Sequence, residues 1–479
     1  MGGRRRWLAV CGVMVALAGS AQTAWRTAVL YPEDLREDLE VVRRSVHLLH
    51  PDPYRYQQRA ALDHRIDSLA ATITVPQPLP AFITALATTL RVVGDAHLEA
   101  ALPTDVARTL QHAVPLLPLK VRVLDNDLYV EEELMGFRSI EPGSRILRIN
   151  GVDASEVLGA LEQLVPVDGN DRGRALRVVE RDLPTLYALR YGTPAAHELE
   201  LVTPDGLRLT KVVKALTGDE IALSFRPPNA GLRPWRSELY AEQRTSWMTL
   251  STLDREVLER EGVDARRFID LVLQEARQQD VLTLVIDVRG AGGPDLGMAE
   301  LVHGMIARDP YRVVQAISFR QPVEGAGGLE PVYAQAGERS LTDGAAVQVP
   351  VDDPRLAFTK PYEKAFQGKV YVVCDGLTTD AGAAFVMLAK RSGRARVVGQ
   401  PTGSNSVSFC GGRTTMVTLP RSKVRLSVPG MLFTIDGKGG GAPDQGEQPH
   451  HLVQEQPWGV ARGRDTVKWS LLEMIRELQ

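Results

Sequence analysis

An α/β core, preceded by a helical segment and a β-rich segment, is the fold class that the sequence predicts. Three observations carry it. The runs VLTLVIDVRG at 281–290 and KVYVVCD at 369–375 are nearly continuous apolar stretches, as expected of strands buried on both faces. Between and after them lie amphipathic stretches with helical spacing, RRFIDLVLQEARQQ, LGMAELVHGMIAR and AGAAFVMLAKR. Strand–helix alternation of this kind argues for a mainly parallel sheet with right-handed crossovers. Before residue 235 the pattern differs, first helical and then alternating.

The chain has 479 residues, too many for one core, so two or three domains are expected. A 44% hydrophobic and 24% charged composition is that of an ordinary globular protein. A formal net charge of -3 gives no electrostatic case for nucleic acid or an anionic membrane surface as partner. No repeat or long low-complexity stretch is present, which argues against solenoids and propellers.

At the N-terminus, Arg4, Arg5 and Arg6 precede an apolar run from Trp7 to Ala18, and small residues follow through Ala21. That order is the one of a secretory signal peptide, so residues 1–21 are expected to be removed and Gln22 to become the first residue. The run is short for a bilayer span; an uncleaved anchor is the other reading. The expectation is a secreted or periplasmic protein with no membrane span in the mature chain. Cys11 lies within the apolar run and is not read as a lipid-attachment site. Cys374 and Cys410 remain after cleavage. Export permits a disulfide between them, whereas two buried small hydrophobes is the alternative.

Residues 22–111 read as helical, with periodic runs DLREDLEVVRRSVHLLH and AFITALATTLRVVG. Pro51 and Pro53 end the first, and the stretch Pro76 to Pro80 separates the two. Residues 112–216 read as β-rich. VRVLDNDLYVEE alternates around Asp125, Asn126 and Asp127, a hairpin signal. IEPGSRILRINGVDASEVLGALEQL follows, with a Pro-Gly turn, a strand, an Asn-Gly turn and a helix. Residues 235–479 form the α/β part, which ends in two more strands, TTMVTLP and KVRLSVPG, and a last helix, TVKWSLLEMIREL.

In parallel sheets reactive groups gather on loops at the carboxyl ends of strands. Two such junctions stand out. In IDVRGAGGP, Gly290, Gly292 and Gly293 lie between a buried strand and a helix start, where backbone N–H groups can face an anion. In CDGLTTDAGAAF, Asp380 stands at the N-cap or first turn of a helix, and capping alone, worth about 1 kcal/mol, would account for it. A third element, VVGDAHLEA, places His97 just after the second helical run, with Asp95 positioned to turn the chain.

Taken in order, these pieces resemble the carboxyl-terminal-processing, or tail-specific, serine proteases. Gly94, Asp95 and His97 match that family's Gly-Asp-x-His segment. Asp287, Val288, Arg289, Gly292 and Gly293 match its Asp-Leu-Arg-x-Asn-x-Gly-Gly, with Ala291 replacing the asparagine. Thr378, Thr379, Asp380 and Ala381 match its Thr-x-Ser-Ala, and Gly399, Thr402 and Gly403 a later Gly-Glu-x-Thr-Gly segment. LPRSKVRLSVP resembles a strand pair of one branch. The resemblance covers most of the mature chain. It implies a crotonase-like (ClpP/crotonase) core with an N-terminal helical region and an inserted PDZ-like β-domain, although a small β-domain with no peptide groove fits 112–216 as well.

The resemblance further implies a Ser–His site, because no lysine stands near Ser404 or Asn405 to form a dyad. His97 would be the general base, and N–H groups near Gly292, Gly293 and Ala381 the oxyanion hole. Asp380 occupies the position of the nucleophilic serine. A carboxylate is a poor nucleophile toward an amide, since attack would form an anhydride while expelling an amine. It would also repel the negative charge that develops in the transition state. The leading expectation is a protein that binds an extended polypeptide or a protein C-terminus and is impaired or inactive as a peptidase. The alternatives are an active hydrolase using His97 with an unusual nucleophile or base (Thr378, Thr379, or water activated by Asp380) and a binder of small apolar ligands. Asp436, Asp444 and Glu447 are candidates for orienting His97. No cofactor and no metal is implied: His450 and His451 are adjacent in sequence and cannot easily share one ion.

Overall fold

The computed structural model describes residues 29–134, 139–224, 232–320, 346–437, 442 and 444–477; the expected signal segment at 1–21 lies outside them. Helix α1 (Pro32–Leu49) starts with proline at its first position and Glu33 and Asp34 in its first turn, residues that suit a helix N-terminus. Its stripe Leu35, Leu39, Val42 and Val46 is buried. Helix α2 (Arg59–Thr72) was not apparent as a periodic run, because it buries only Leu62 and Ile66. Helix α3 (Leu79–Leu90) completes the helical region. The core that holds Leu35, Phe82 and Leu86 also holds Val417, Leu419, Val424 and Leu426. The N-terminal helices therefore cover a hairpin from the far end of the chain.

Strand β1 (Glu99–Ala101) is followed by β2 (Leu119–Leu124), β3 (Asp127–Glu133) and β4 (Arg145–Ile149), then helix α4 (Ala154–Glu162), helix α5 (Arg172–Tyr191), β5 (Ala196–Val202) and β6 (Arg208–Lys214). The sheet order is β6-β5-β4-β3-β2, antiparallel throughout. The 20-residue α5 departs from the β-rich reading of this segment. Asp171 caps it by accepting the Arg174 N–H at 3.0 Å. Pro184 lies inside it and Asp182 leaves helical geometry, as a proline ring and its missing N–H require.

The α/β part comprises β7 (Trp235–Tyr240), β8 (Thr245–Leu250), helix α6 (Ala265–Gln278), β9 (Thr283–Asp287), helix α7 (Leu296–Gly304), β10 (Val314–Arg320), β11 (Ala346–Gln348), β12 (Lys369–Cys374), helix α8 (Asp380–Arg391), β13 (Arg396–Gly399), β14 (Ser408–Thr418), β15 (Arg425–Ile435), β16 (His451–Leu452) and helix α9 (Thr466–Glu477). One sheet has the order β7-β8-β9-β12-β13-β16, parallel except for β7. Met248, Ile286, Val372 and Val397 stand in register across it, each wholly buried. A second sheet, β11-β10-β15-β14, takes β1 on β15. The pairing of Ala100 with Leu426 ties the His97 segment to the hairpin. Cys374 and Cys410 are both buried and both free thiols, so the disulfide reading gives way to that of two buried thiols. No helix among the described residues is long and apolar enough to cross a membrane.

Candidate active site

The carboxyl end of β9, the start of α8 and the segment before β1 converge on a cleft of about 380 Å³ lined by His97, Asp380, Gly292, Gly293, Thr252 and Thr414. Each side chain is placed by a local device. Gly94 ends a short 3-10 turn in the left-handed region, with φ 69°, and a Cβ there would fall 2.6 Å from the Tyr56 ring; only glycine fits. The carboxylate of Asp95 then accepts the His97 N–H at 2.7 Å. Asp168 accepts the N–H of Ala96 at 2.9 Å and that of Asn405 at 3.1 Å. His97 is thus held from both sides of the chain.

His97 Nε2 lies 2.8 Å from Asp380 Oδ1. On its other side, Nδ1 stands 3.7 Å from Asp95 Oδ1, beyond hydrogen-bond length, and Asp95 Oδ2 is 3.0 Å from His50 Nε2. Burial disfavours the imidazolium, but the Asp380 charge and hydrogen bond, reinforced by Asp95, hold His97 well above the usual histidine range. Burial would push Asp380 up; the His97 charge outweighs it, with Arg174 and the Thr379 hydroxyl adding to the effect, and holds the carboxyl below its ordinary value. Asp95 is likewise drawn well down by His50 and His97 against its burial, whereas burial and the charge of Asp95 push Asp168 up. The shifts of His97 and Asp380 both favour a charged pair, His97 cation on Asp380 anion, in which the imidazole already carries the proton that a general base would have to accept.

Asp380 has φ 48°, a left-handed conformation that costs an ordinary residue about 1–2 kcal/mol. It is the first residue of α8 rather than its cap: Thr379 is the N-cap, and it makes no side-chain capping bond. The Asp380 N–H donates to Ser404 Oγ at 2.9 Å. The strained backbone is held by that bond and by Thr379 N–H donating to Ala291 O at 3.0 Å.

The three expected oxyanion-hole residues are brought together, but one donor is in use. The Ala381 N–H donates to Gly293 O at 3.1 Å, so it is not presented to the cleft. A Cβ on Gly292 would meet Thr379 Oγ1 at 2.6 Å, which accounts for glycine there. Of the hydroxyls near Asp380, that of Thr379 is half-buried beside Gly292, whereas three others are withdrawn from the cleft. Thr378 is buried and donates to Val288 O at 2.8 Å, and Ser404 and Ser406 are buried.

The three acids considered for orienting His97 are engaged elsewhere. Asp436 pairs with Arg312 at 3.0 Å, Asp444 accepts from Asn170 at 3.0 Å, and Glu447 pairs with Lys390 at 2.6 Å. Asp95, read from the sequence as a chain-turning residue, stands next to His97 in their place. His50 and Asp168 were not singled out, since 47 or more positions of sequence separate them from His97 and no local pattern marks them. Two groups bring three metal-donor atoms within 4.8 Å of one another, His50 with Asp95 and Cys410, and Asp95 with His97 and Asp168. In the first, the Asp52 N–H donates to His50 Nδ1 at 3.2 Å, which leaves the ring proton on Nε2, facing Asp95. In the second, Asp168 spends both oxygens on backbone N–H groups.

No curated protein matches the chain. Among solved structures, the chain is similar to mature CPAF complexed with lactacystin, with 14% identity, a TM-score of 0.65 and coverage of 93% of this chain and 98% of that one. It is also similar to mature CPAF alone, with 14% identity, a TM-score of 0.62 and the same coverage. The photosystem II D1 C-terminal processing protease aligns at 14% identity over 90% of this chain and 98% of that one, with a TM-score of 0.42. The two CPAF likenesses concern the fold, a mixed α/β architecture of several sheets. Residues 250–425, which carry the Gly292–Gly293 junction, Asp380 and the start of the β14–β15 hairpin, match the model of Peptidase family S41.

Proposed function

We propose that this chain is an exported member of the tail-specific protease family that binds extended polypeptide, a protein C-terminus included, and is impaired or inactive as a serine peptidase. In this reading residues 22–111 are the N-terminal helical region, 112–216 a PDZ-like unit and 235–479 a crotonase-like core. The observation that carries it is the 2.8 Å pair between His97 and Asp380. At the position of the nucleophile stands a carboxylate, and it keeps the would-be base protonated. Removing a member of a catalytic triad lowers turnover by about four orders of magnitude or more. The helix-start N–H that would stabilise an oxyanion is bonded to Gly293 O, which acts in the same direction.

The test is cleavage of an unstructured protein and of peptide pools by the natural chain, His97→Ala, Asp380→Ser, and Asp380→Ser combined with His97→Ala. The expected result is no turnover by the natural chain, turnover by Asp380→Ser and its loss in the double variant. Turnover by the natural chain that disappears in His97→Ala would overturn the proposal in favour of a working hydrolase.

A further inference from the structure

At the opposite end of the parallel strands from the cleft lies a larger groove, of about 1460 Å³. It opens where β9, β12 and β13 begin, at Thr283, Lys369 and Arg396, whereas His97 and Asp380 face the ends where these strands finish. Its lining is strongly cationic: Arg308, Lys369, Arg394 and Arg396 contribute guanidinium or ammonium groups, and Lys390, His450 and His451 also line it. Among the described residues the carboxylate in the lining is Glu477. Lys390 is already paired with Glu447 at 2.6 Å. In a chain of net charge -3, this is a local reversal of sign.

Arg394 shows that the excess is built in rather than scattered. It is 9% exposed, and its Nε donates to Ile306 O at 2.6 Å while Nη2 donates to Phe366 O at 2.6 Å and Gly368 O at 2.9 Å. Among the described residues no carboxylate lies within ion-pair distance of it. Burying a guanidinium on carbonyl groups alone is costly without an opposing charge. Burial, with the like charge of Arg308, brings it down to about 10. Arg308, Lys369 and Arg396 surround this uncompensated charge and are exposed.

We infer that this groove binds an acidic polypeptide segment carrying apolar side chains, through Arg308, Lys369 and Arg396. Opposite charge would offset Arg394 and its neighbours, and the exposed Leu282 and half-buried Met474 in the same lining offer contacts to apolar residues between the acids. Two other polyanions fit less well. A lipid bilayer presents a flat surface to a concave site. Single-stranded nucleic acid gains most from exposed large rings to stack on; the phenol ring of the lining, Tyr371, is 7% exposed, and among the described residues the exposed rings there are the imidazoles of His450 and His451.

The test is fluorescence anisotropy with a labelled peptide of alternating Glu, Asp and Leu, beside its Gln/Asn/Leu counterpart. Vesicles of phosphatidylserine and phosphatidylcholine and an oligothymidylate are run in parallel. The natural full chain is compared with R308E/R396E and with K369E, each checked for an unchanged thermal transition. These positions are exposed and far from the cleft. The expected result is binding of the acidic peptide alone, weakened tenfold or more by either variant and by raising salt from 50 to about 300 mM. Equal binding of the neutral peptide, indifference to both variants, or binding of vesicles or oligonucleotide in preference to the peptide would overturn the inference.

Discussion

His97 Nε2 and Asp380 Oδ1 stand 2.8 Å apart, and each draws the other toward its charged form. The pair has a defined pH signature. His97 is raised above its ordinary 6.5, so its contribution is complete below 6.5 and is lost as pH rises through the higher folded value. Asp380 is lowered below its ordinary 3.8, so its contribution is present above 3.8 and is lost as pH falls through the lower folded value. Stability from the pair is therefore greatest between these two ordinary values.

Asp380→Asn isolates that charge, because asparagine tolerates the left-handed φ of 48°. At pH 5.5 the variant is expected to lose about 1.5–3 kcal/mol, the worth of a hydrogen bond between charged groups, and much less at pH 10. The His97 titration, followed by NMR, should move down toward its ordinary value. An unmoved His97 titration would show that the pair is not what sets it.

The bond from Ala381 N–H to Gly293 O at 3.1 Å limits what a restored serine can do. Removing one oxyanion donor costs about 10²–10³ in turnover. Asp380→Ser should accordingly acylate with an activated ester such as p-nitrophenyl acetate in a measurable burst, while its amide cleavage stays at least 10²-fold slower. Amide turnover by Asp380→Ser as fast as that of an ordinary serine peptidase, about 1–10³ s⁻¹, would mean that the Gly293 peptide rotates out of the way at little cost.

How much of this was legible follows from where the information lies. The strands β9 and β12 are readable because burial on both faces leaves an unbroken apolar run. The strand–turn–helix at 145–162 is readable because Asn150 and Gly151 both take positive φ. Helix α5 was not, since its charged residues interrupt the apolar stripe and Pro184 argues against a helix. His97 and Asp380 could each be picked out from local sequence, but their contact joins positions 283 residues apart. Nothing near Asp380 shows that Ala381 N–H faces a carbonyl, since that depends on how the Gly293 peptide turns.

Asp38 is another such long-range tie. Wholly buried in α1, it accepts the Arg421 N–H at 2.9 Å and the Ser422 N–H at 2.7 Å, fastening the helical region to the turn between β14 and β15. Asp38→Ala would leave two amides without their acceptor, and about 2–4 kcal/mol of stability should go. Asp38→Asn keeps one acceptor and should cost roughly half as much. Urea denaturation measures both. Equal losses in the two variants would point to the charge, not the acceptors, as what matters.

Glu180 gives the sharpest pH test outside the cleft. Burial pushes it from 4.5 up to about 7, against Arg177, Arg122 and the Val123 N–H, which favour the carboxylate. Its folded value is raised, so its contribution is complete below 4.5 and is lost as pH rises through about 7. At 1.36 kcal/mol per unit, that loss amounts to about 3 kcal/mol. Glu180→Gln keeps an acceptor for Val123 and removes the titration. Arg122 retains Glu131 at 2.8 Å and Glu455 at 3.4 Å, whereas among the described residues the buried Arg177 keeps only the Val123 O bond at 2.7 Å, a constant cost of the variant that does not change with pH. His197, brought down to about 4 by burial, works in the opposite sense, its contribution being lost as pH falls. The stability of the natural chain minus that of Glu180→Gln cancels His197 and should fall by about 3 kcal/mol between pH 4.5 and 8. A difference that stays level across that range would mean that Arg177 and Arg122 keep Glu180 ionised throughout, and that the buried cluster is an ion network rather than a protonated acid.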